Sequence, residues 1–302
     1  MTLYTQQSKN VWRTWLLMSL FFVIIIVLGF VISYAYDSQA ILYIAVIIAV
    51  GMNIMGYWYS DKIVLKTSGA VPADKTTYRD LFEVSENLSI TAGLPMPKLY
   101  VINDNAPNAF ATGRDKNHSA IAVTSRLLAL LNRNELEGVI SHEMSHIGNR
   151  DTLLQTVVVI LVGFVALLSN FFIRMGMFSG GGNRRNNGNI QLIVFVIGIV
   201  LAILSPIAAV LIQLAISRKR EFLADASGAL LTRYPEGLAS ALQKISAYDG
   251  KPLTHASHAT AHLYISDPYP ETSAKKKSGL SKLFMTHPPV EERIAALLNQ
   301  KK

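Results

Sequence analysis

Residues Thr14–Tyr36 read TWLLMSLFFVIIIVLGFVISYAY and contain no charged side chain. A helix needs about 20 mostly apolar residues to cross the hydrocarbon core of a bilayer. This stretch is apolar around its whole circumference rather than along one stripe, which is typical of a helix surrounded by lipid. A cleaved signal peptide is the alternative, but its apolar region is usually only about 7–15 residues long. The stretch therefore predicts a membrane-spanning helix.

Three further uncharged runs follow, at 38–60, 152–173 and 186–217, the last with its apolar centre at 190–216. Each is long enough to span a membrane. We therefore predict four transmembrane helices, in one hairpin over 14–60 and a second over 152–217. The third and fourth runs could instead be buried core helices, because Pro206 and small residues interrupt the fourth.

The composition agrees with a membrane protein. Of the 302 residues, 51% are hydrophobic and 16% are charged, whereas soluble domains are about 25% charged. These values exclude a disordered chain. The absence of cysteine excludes disulfides, thiolate metal sites and a cysteine nucleophile.

The net charge of +8 is concentrated beside the apolar runs. The flanking cations are Lys9, Arg13, Lys62, Lys66, Arg150, Arg218, Lys219 and Arg220. If the chain crosses the membrane four times, all of these cations lie on the same side of the membrane. The positive-inside rule identifies that side as the cytoplasm. Arg174, Arg184 and Arg185 fall on the opposite side and count against this orientation. Because the charge is directed to the membrane and no nucleic-acid-reading motif accompanies it, we expect no nucleic-acid partner.

The polar segments 61–150 and 218–302 share the predicted cytoplasmic side with both termini. We predict that they form one α+β domain, mainly α-helical, that the second hairpin divides in sequence. Helices are expected over 76–91, 125–131, 134–148, 221–232, 236–248 and 290–298, and strands over 98–102 and 120–124. The stretch 103–117 reads as a polar, glycine-containing loop, and Asn134 with Glu137 as a capping box.

The sequence His142-Glu143-Met144-Ser145-His146 lies on one of these predicted helices. Residues four apart project from the same helix face, so both imidazoles can bind one tetrahedral ion. Glu143 can reach a water on that ion and take its proton, because zinc lowers the pKa of such a water toward ~7. The alternative is two unrelated histidines on a helix surface.

A zinc hydrolase needs a third protein ligand. Glu221 and Asp225 are also four apart on a predicted helix, so we predict Glu221 as the third ligand and Asp225 as the acceptor that orients a ligand imidazole. The alternative is a solvated helix start, whose acids lie favourably against the helix dipole. If the intervening segments are helical, the second hairpin brings the two halves of the site together close to the lipid surface.

A second histidine cluster, His255, His258 and His262, follows a Gly-Lys-Pro segment. No acidic residue is placed to complete a helix-borne site with these histidines, so we predict a mobile loop.

Four segments together resemble the HtpX family of membrane-bound zinc metalloproteases, over almost the whole chain. They are 142–146, 220–225, NAFATG at 108–113 and FMTHPP at 284–289. The resemblance implies a gluzincin-type fold, one zinc ion per subunit on His142, His146 and Glu221, and Glu143 as the catalytic acid and base. It also implies quality control of membrane proteins in the bacterial plasma membrane. Polypeptides, chiefly membrane proteins, would be the substrates, and the lipid bilayer a second partner.

The resemblance further implies that the NAFATG segment lines the cleft beside the substrate. The residues concerned are Asn108, Ala109, Phe110 and Ala111. Asn108 would contact the substrate backbone, or is simply a loop residue. His287 could donate a hydrogen bond to the oxyanion of the tetrahedral intermediate, as in related proteases, or could belong to a purely structural turn before two prolines.

Two other classes of protein remain as alternatives. A membrane scaffold with a non-catalytic metal site would bind zinc without hydrolysing peptides, although structural zinc prefers four protein ligands. A transporter would need ionisable groups within its spans, and the apolar centres of the four runs contain none besides tyrosine.

Overall fold

The computed structural model describes residues 3–35, 37–178, 218–256, 260–268 and 288–299. The predicted fourth span, His258 and His287 lie outside the described residues.

The N-terminal part is a helical hairpin. Helix α1 (Leu3–Ala35) and helix α2 (Gln39–Trp58) contain the two described segments that are long and apolar enough to cross a membrane, Gln7–Tyr34 and Gln39–Trp58. The turn between them contains Asp37 with a positive φ of 50°. Aspartate tolerates this left-handed conformation better than most residues. The first two predicted runs therefore form helices that are long and apolar enough to span a membrane.

Helix α7 (Asp151–Phe178) contains the third predicted span and packs against the hairpin through its first turns. It follows helix α6 (Arg133–Gly148) after a bend of 81°. Leu153 and Val157 of α7 join Met18, Phe21 and Ala49 of the hairpin in one buried cluster. The described structure thus joins the apolar hairpin to the polar domain at the bend between α6 and α7.

A four-stranded sheet lies in the polar domain, in the order β1-β2-β4-β3. The strands are β1 (Ala70–Pro72), β2 (Lys98–Ile102), β3 (Ala109–Asp115) and β4 (His118–Thr124). Strand β2 pairs parallel with β4, and β3 pairs antiparallel with β4 at the end of the described sheet.

The prediction of a loop over 103–117 was wrong for residues 109–115. These residues form β3, whose first five positions are all buried. Packing on both faces removes the polar–apolar alternation by which a half-buried strand is recognised, so composition suggested a loop.

The remaining described helices are α3 (Ser60–Thr67), α4 (Arg79–Ala92), α5 (Ser125–Leu130), α8 (Arg218–Thr232), α9 (Pro235–Ser246) and α10 (Val290–Asn299). Five of these six helices lie close to their predicted positions, whereas α3 was not predicted. Helix α6 lies in the middle of the main core, with Val139, Ile140 and Met144 packed among residues of the sheet, α4 and α9. This central position makes α6 a rigid support for the side chains that it carries.

The capping box of α6 is at Asn132 and Glu135, so the prediction of Asn134 and Glu137 was wrong. The Glu135 amide donates to Asn132 Oδ1 at 3.0 Å, and the Asn132 amide donates to Glu135 Oε2 at 2.9 Å. Glu135 also accepts hydrogen bonds from Ser240 and Lys244 of α9, at 2.6 and 2.7 Å. These partners lie over 100 positions away in the chain, so local spacing does not reveal them.

Candidate metal centre

The centre is built where α8 crosses α6. Gly228 of α8 lies against α6 so closely that a Cβ atom there would be 3.0 Å from the His142 backbone nitrogen and 2.9 Å from Ser141 Oγ. Glycine therefore permits the two helices to approach until their polar side chains meet.

His142, His146 and Glu221 converge at this crossing. The two Nε2 atoms are 3.2 Å apart, and the Glu221 oxygens lie 3.7 Å from His142 Nε2 and 3.6 Å from His146 Nε2. Tetrahedral zinc with ligands at about 2.0–2.2 Å places neighbouring ligand atoms about 3.3–3.6 Å apart. The three side chains are buried, and their donor atoms, two imidazole nitrogens and a carboxylate oxygen, suit zinc.

Asp225 meets the other ring nitrogen of His142. Its Oδ1 lies 2.8 Å from His142 Nδ1, as the predicted orienting acceptor requires. Arg293 of α10 binds Asp225 with two hydrogen bonds of 2.8 and 2.6 Å. Burial alone would raise the pKa of Asp225, but the Arg293 charge and hydrogen bonds lower that pKa to about 2. Asp225 is therefore a permanent carboxylate beside the imidazole.

Asp151 has the same relation to His146, and the sequence analysis missed it. Its Oδ2 lies 3.0 Å from His146 Nδ1. Burial lowers the pKa of His146, but the hydrogen bond to Asp151 and the charge of Glu221 outweigh burial and raise that pKa to about 9. Asp151 directly precedes the apolar run at 152–173, and the sequence analysis gave it no role. An acid five positions after the second histidine, where a polar helix changes to an apolar one, was the available signal.

Glu143 is buried and lies beside β3. The Ala111 backbone amide donates a hydrogen bond to its carboxylate. Burial raises the pKa of Glu143 and the charge of His146 opposes this, with a resulting value of about 7. A carboxylate with a pKa near neutrality can both accept and return a proton.

The other residues of the predicted substrate cleft have partners within the chain. Asn108 Nδ2 donates to the Ser266 carbonyl at 3.0 Å, and the Ile265 amide donates to the Ala109 carbonyl at 2.9 Å. The Phe110 ring packs edge-on against Tyr264, with 5.2 Å between centroids. The segment around Ile265 therefore covers this part of the β3 edge.

The prediction of a mobile loop was wrong for His262. This residue lies in a buried turn of 3₁₀-helix (Ala261–Leu263), with Nε2 3.4 Å from the Gln155 carbonyl of α7. The apolar neighbours Leu263 and Tyr264 pack into a core cluster and hold the turn in place. His255 instead packs against Gly69, outside the metal centre.

Similarity to known proteins extends along the whole chain. The chain is 46% identical to the protease HtpX homolog of Caldanaerobacter subterraneus subsp. tengcongensis over 300 residues, 98% of this chain and 97% of that protein. It is 41% identical to the protease HtpX homolog of Streptococcus pneumoniae over 303 residues, 98% of this chain and 99% of that protein. The crystal structure of S. mikatae Ste24p has a TM-score of 0.48 and 19% identity, over 97% of this chain and 67% of that one, too distant to add to the argument.

Two histidines and a glutamate whose donor atoms converge, with the buried Glu143 beside them, form the arrangement of a metallopeptidase centre, here in a chain with apolar helices long enough to span a membrane. The chain belongs to peptidase family M48, which matches residues 75–301. It is a membrane zinc metalloprotease that acts on polypeptides, as the resemblance to the HtpX family implied. The scaffold alternative is not favoured.

Proposed function

We propose that the protein is an endopeptidase that hydrolyses misfolded or damaged membrane proteins next to the bilayer. His142, His146 and Glu221 hold one zinc ion, and Glu143 is the catalytic acid and base. The observation that carries this proposal is the convergence of donor atoms from α6 and α8, all within 4.8 Å of one another, beside the buried Glu143.

In this proposal Glu143 moves one proton through the reaction. Zinc, when bound, supplies a Lewis acid that polarises the scissile carbonyl and acidifies water. Glu143 takes a proton from the attacking water as the new C–O bond forms. It then gives the proton to the amide nitrogen as the C–N bond breaks, so the carboxylate is regenerated.

The substrate is proposed to bind as an extended strand beside β3. A backbone at the end of a sheet can pair with an added strand, which gives affinity with little dependence on sequence. The Ala111 amide supports this position, because its hydrogen bond to Glu143 brings β3 next to the reacting centre. Asn108, Ala109, Phe110 and Ala111 are proposed to line the cleft at this edge, and His287 is proposed as the oxyanion donor.

The proposal includes four spans, with the protease domain (61–150 and 218–302) and both termini in the cytoplasm of a bacterial cell. The apolar hairpin and the flanking cations support this topology. Residues 152–217 would form the second hairpin. Because α7 begins five residues after His146, the site lies close to the membrane surface, where chains extracted from the bilayer would reach it first.

The decisive experiment compares Glu143→Gln with the natural protein, purified in detergent, for zinc content and casein cleavage. General acid–base catalysis contributes about 10²–10⁴-fold, so we expect a loss of that size with zinc content unchanged. Glu86→Gln, an exposed acid on α4, is the matched control and should cleave normally. Equal cleavage by Glu143→Gln and the natural protein would show that the assigned mechanism is wrong.

A further inference from the structure

The membrane helix α1 inserts a polar side chain next to the metal centre. Asn10 is buried, and its Nδ2 donates to Asp151 Oδ1 at 2.7 Å and to the Asn149 carbonyl at 3.2 Å. Its Oδ1 accepts a hydrogen bond from Arg220 Nη1 at 3.0 Å. A buried amide in an otherwise apolar helix is costly unless it is fully hydrogen-bonded, and here both ends of the amide have partners.

The partners of Asn10 are the neighbours of the proposed zinc ligands. Asp151 uses one oxygen for Asn10 and the other for His146 Nδ1, at 2.7 and 3.0 Å. With both oxygens bound, the carboxylate cannot rotate freely away from the imidazole. Arg220 directly precedes Glu221, and its Nε lies 3.7 Å from Asp151 Oδ1. One amide group therefore contacts the carboxylate that binds His146 and the arginine that lies beside the same carboxylate.

A second contact joins α1 to the same place. Gln7 Nε2 donates to the Gly148 carbonyl at 2.7 Å, at the last residue of α6. Gln7 and Asn10 are three apart and so lie on one face of the helix. The two residues hold α1 against the bend between α6 and α7, two residues beyond His146.

We propose that Asn10 is a positioning residue of the metal centre, which fixes the orientation of His146 through Asp151. The first membrane helix is thereby part of the metal centre as well as an anchor. This inference rests on the proposed zinc ligands. The competing explanation is that Asn10 only stabilises the packing of α1 against the domain.

Zinc affinity separates these two explanations. Changes to residues that orient a metal ligand typically lower metal affinity or activity about 10–100-fold. We expect Asn10→Ala in the full-length, detergent-purified protein to weaken zinc binding about tenfold or more, measured by competition with a chelator. The absorption spectrum of the cobalt-substituted variant should shift, because the imidazole is no longer held in one orientation.

Three variants complete the design. Asn10→Asp keeps an acceptor for Arg220 but cannot donate to Asp151, so we expect it to lose zinc affinity as well. This variant provides the test if Asn10→Ala folds poorly. Asn10→Ala added to Asp151→Asn should cause little further loss, since both act through the same contact. Asn53→Ala is the control, because the Asn53 amide donates to the Ala49 carbonyl within its own helix α2.

The inference is overturned if Asn10→Ala and Asn10→Asp keep the natural zinc affinity and cobalt spectrum. It is also overturned if both variants only lower the thermal stability of the metal-free protein. His146→Ala distinguishes a wrong role for Asn10 from a wrong assignment of the zinc ligands. If His146→Ala also retains full zinc affinity, the metal centre itself is assigned wrongly.

Discussion

At the scale of single residues, the two histidines of the centre have separate carboxylate supports. His142 contacts Asp225, which Arg293 holds, and His146 contacts Asp151. A carboxylate on the far ring nitrogen fixes the imidazole tautomer and makes the other nitrogen a better ligand. The centre therefore depends on α8 for one histidine and on the start of α7 for the other.

Loss of the third ligand should empty the centre. We expect Glu221→Ala to lose most bound zinc and casein cleavage, because two imidazoles alone leave a catalytic zinc site one protein ligand short. Metal analysis by mass spectrometry and a cleavage assay measure both effects. If metal content and turnover stay at the natural level, Glu221 is not a ligand.

Loss of the His142 support should weaken the centre without emptying it. We expect Asp225→Asn to lower zinc affinity about 10–100-fold, because the neutral amide no longer fixes the imidazole as strongly. Chelator competition measures the change. Asp249→Asn, an exposed aspartate after α9, should bind zinc as the natural protein does. The same affinity for both variants would contradict the role of Asp225.

At the scale of elements, the site depends on how closely α6 can approach its neighbours. A Cβ at Gly138 would lie 2.6 Å from the backbone nitrogen of Leu238, so Gly138→Ala must push α9 away from α6. We expect a loss of about 1–3 kcal/mol in stability, seen as a lower thermal midpoint in detergent. Gly51→Ala is the control, since nothing lies within 4 Å of the added atom there. An unchanged midpoint for Gly138→Ala would show that this contact is not tight.

The start of α6 should make stability depend on pH. Burial raises the pKa of Glu135, but hydrogen bonds from Lys244 and Ser240 outweigh burial and lower that pKa below its usual value. The stabilisation by the carboxylate is therefore complete above the unfolded pKa of about 4.3 and is lost as pH falls through the lower folded pKa.

Glu135→Gln tests this dependence through thermal midpoints measured from pH 7 to pH 3. We expect a midpoint several degrees below that of the natural protein at pH 7, consistent with a loss of about 1–3 kcal/mol. The difference should shrink as pH falls below the unfolded pKa of about 4.3 and through the lower folded pKa, where the natural carboxylate becomes protonated. A difference that stays constant across this range would contradict the assignment.

At the scale of the whole molecule, α1 and the polar domain meet at the metal centre, so the membrane topology determines where proteolysis occurs. The natural chain contains no cysteine, so single cysteines can be introduced to map it. We expect Asp37→Cys, in the turn between α1 and α2, to react with a membrane-impermeant maleimide in intact cells. Lys75→Cys, in the polar domain, should react only after the cells are permeabilised. The reverse pattern would contradict the proposed orientation.

Local patterns in the sequence were sufficient to predict the apolar N-terminal helices, most other helices and the three residues that converge at the metal centre, His142, His146 and Glu221. Apolar length predicts a span, and a spacing of four predicts two imidazoles on one helix face, because both depend only on neighbouring residues. The acids at Glu221 and Asp225 were recognisable for the same reason.

Tertiary packing determined those features of the fold and the site that depend on contacts between residues far apart in the chain. Strand β3 looked like a loop because its burial on both faces comes from neighbouring elements, and Glu135 of the capping box has further partners on α9 that local spacing does not reveal. Asp151 and Asn10 came together through the bend between α6 and α7 and the packing of α1 beside it, across 141 positions of chain. Such contacts depend on the relative placement of whole helices, which local periodicity does not contain.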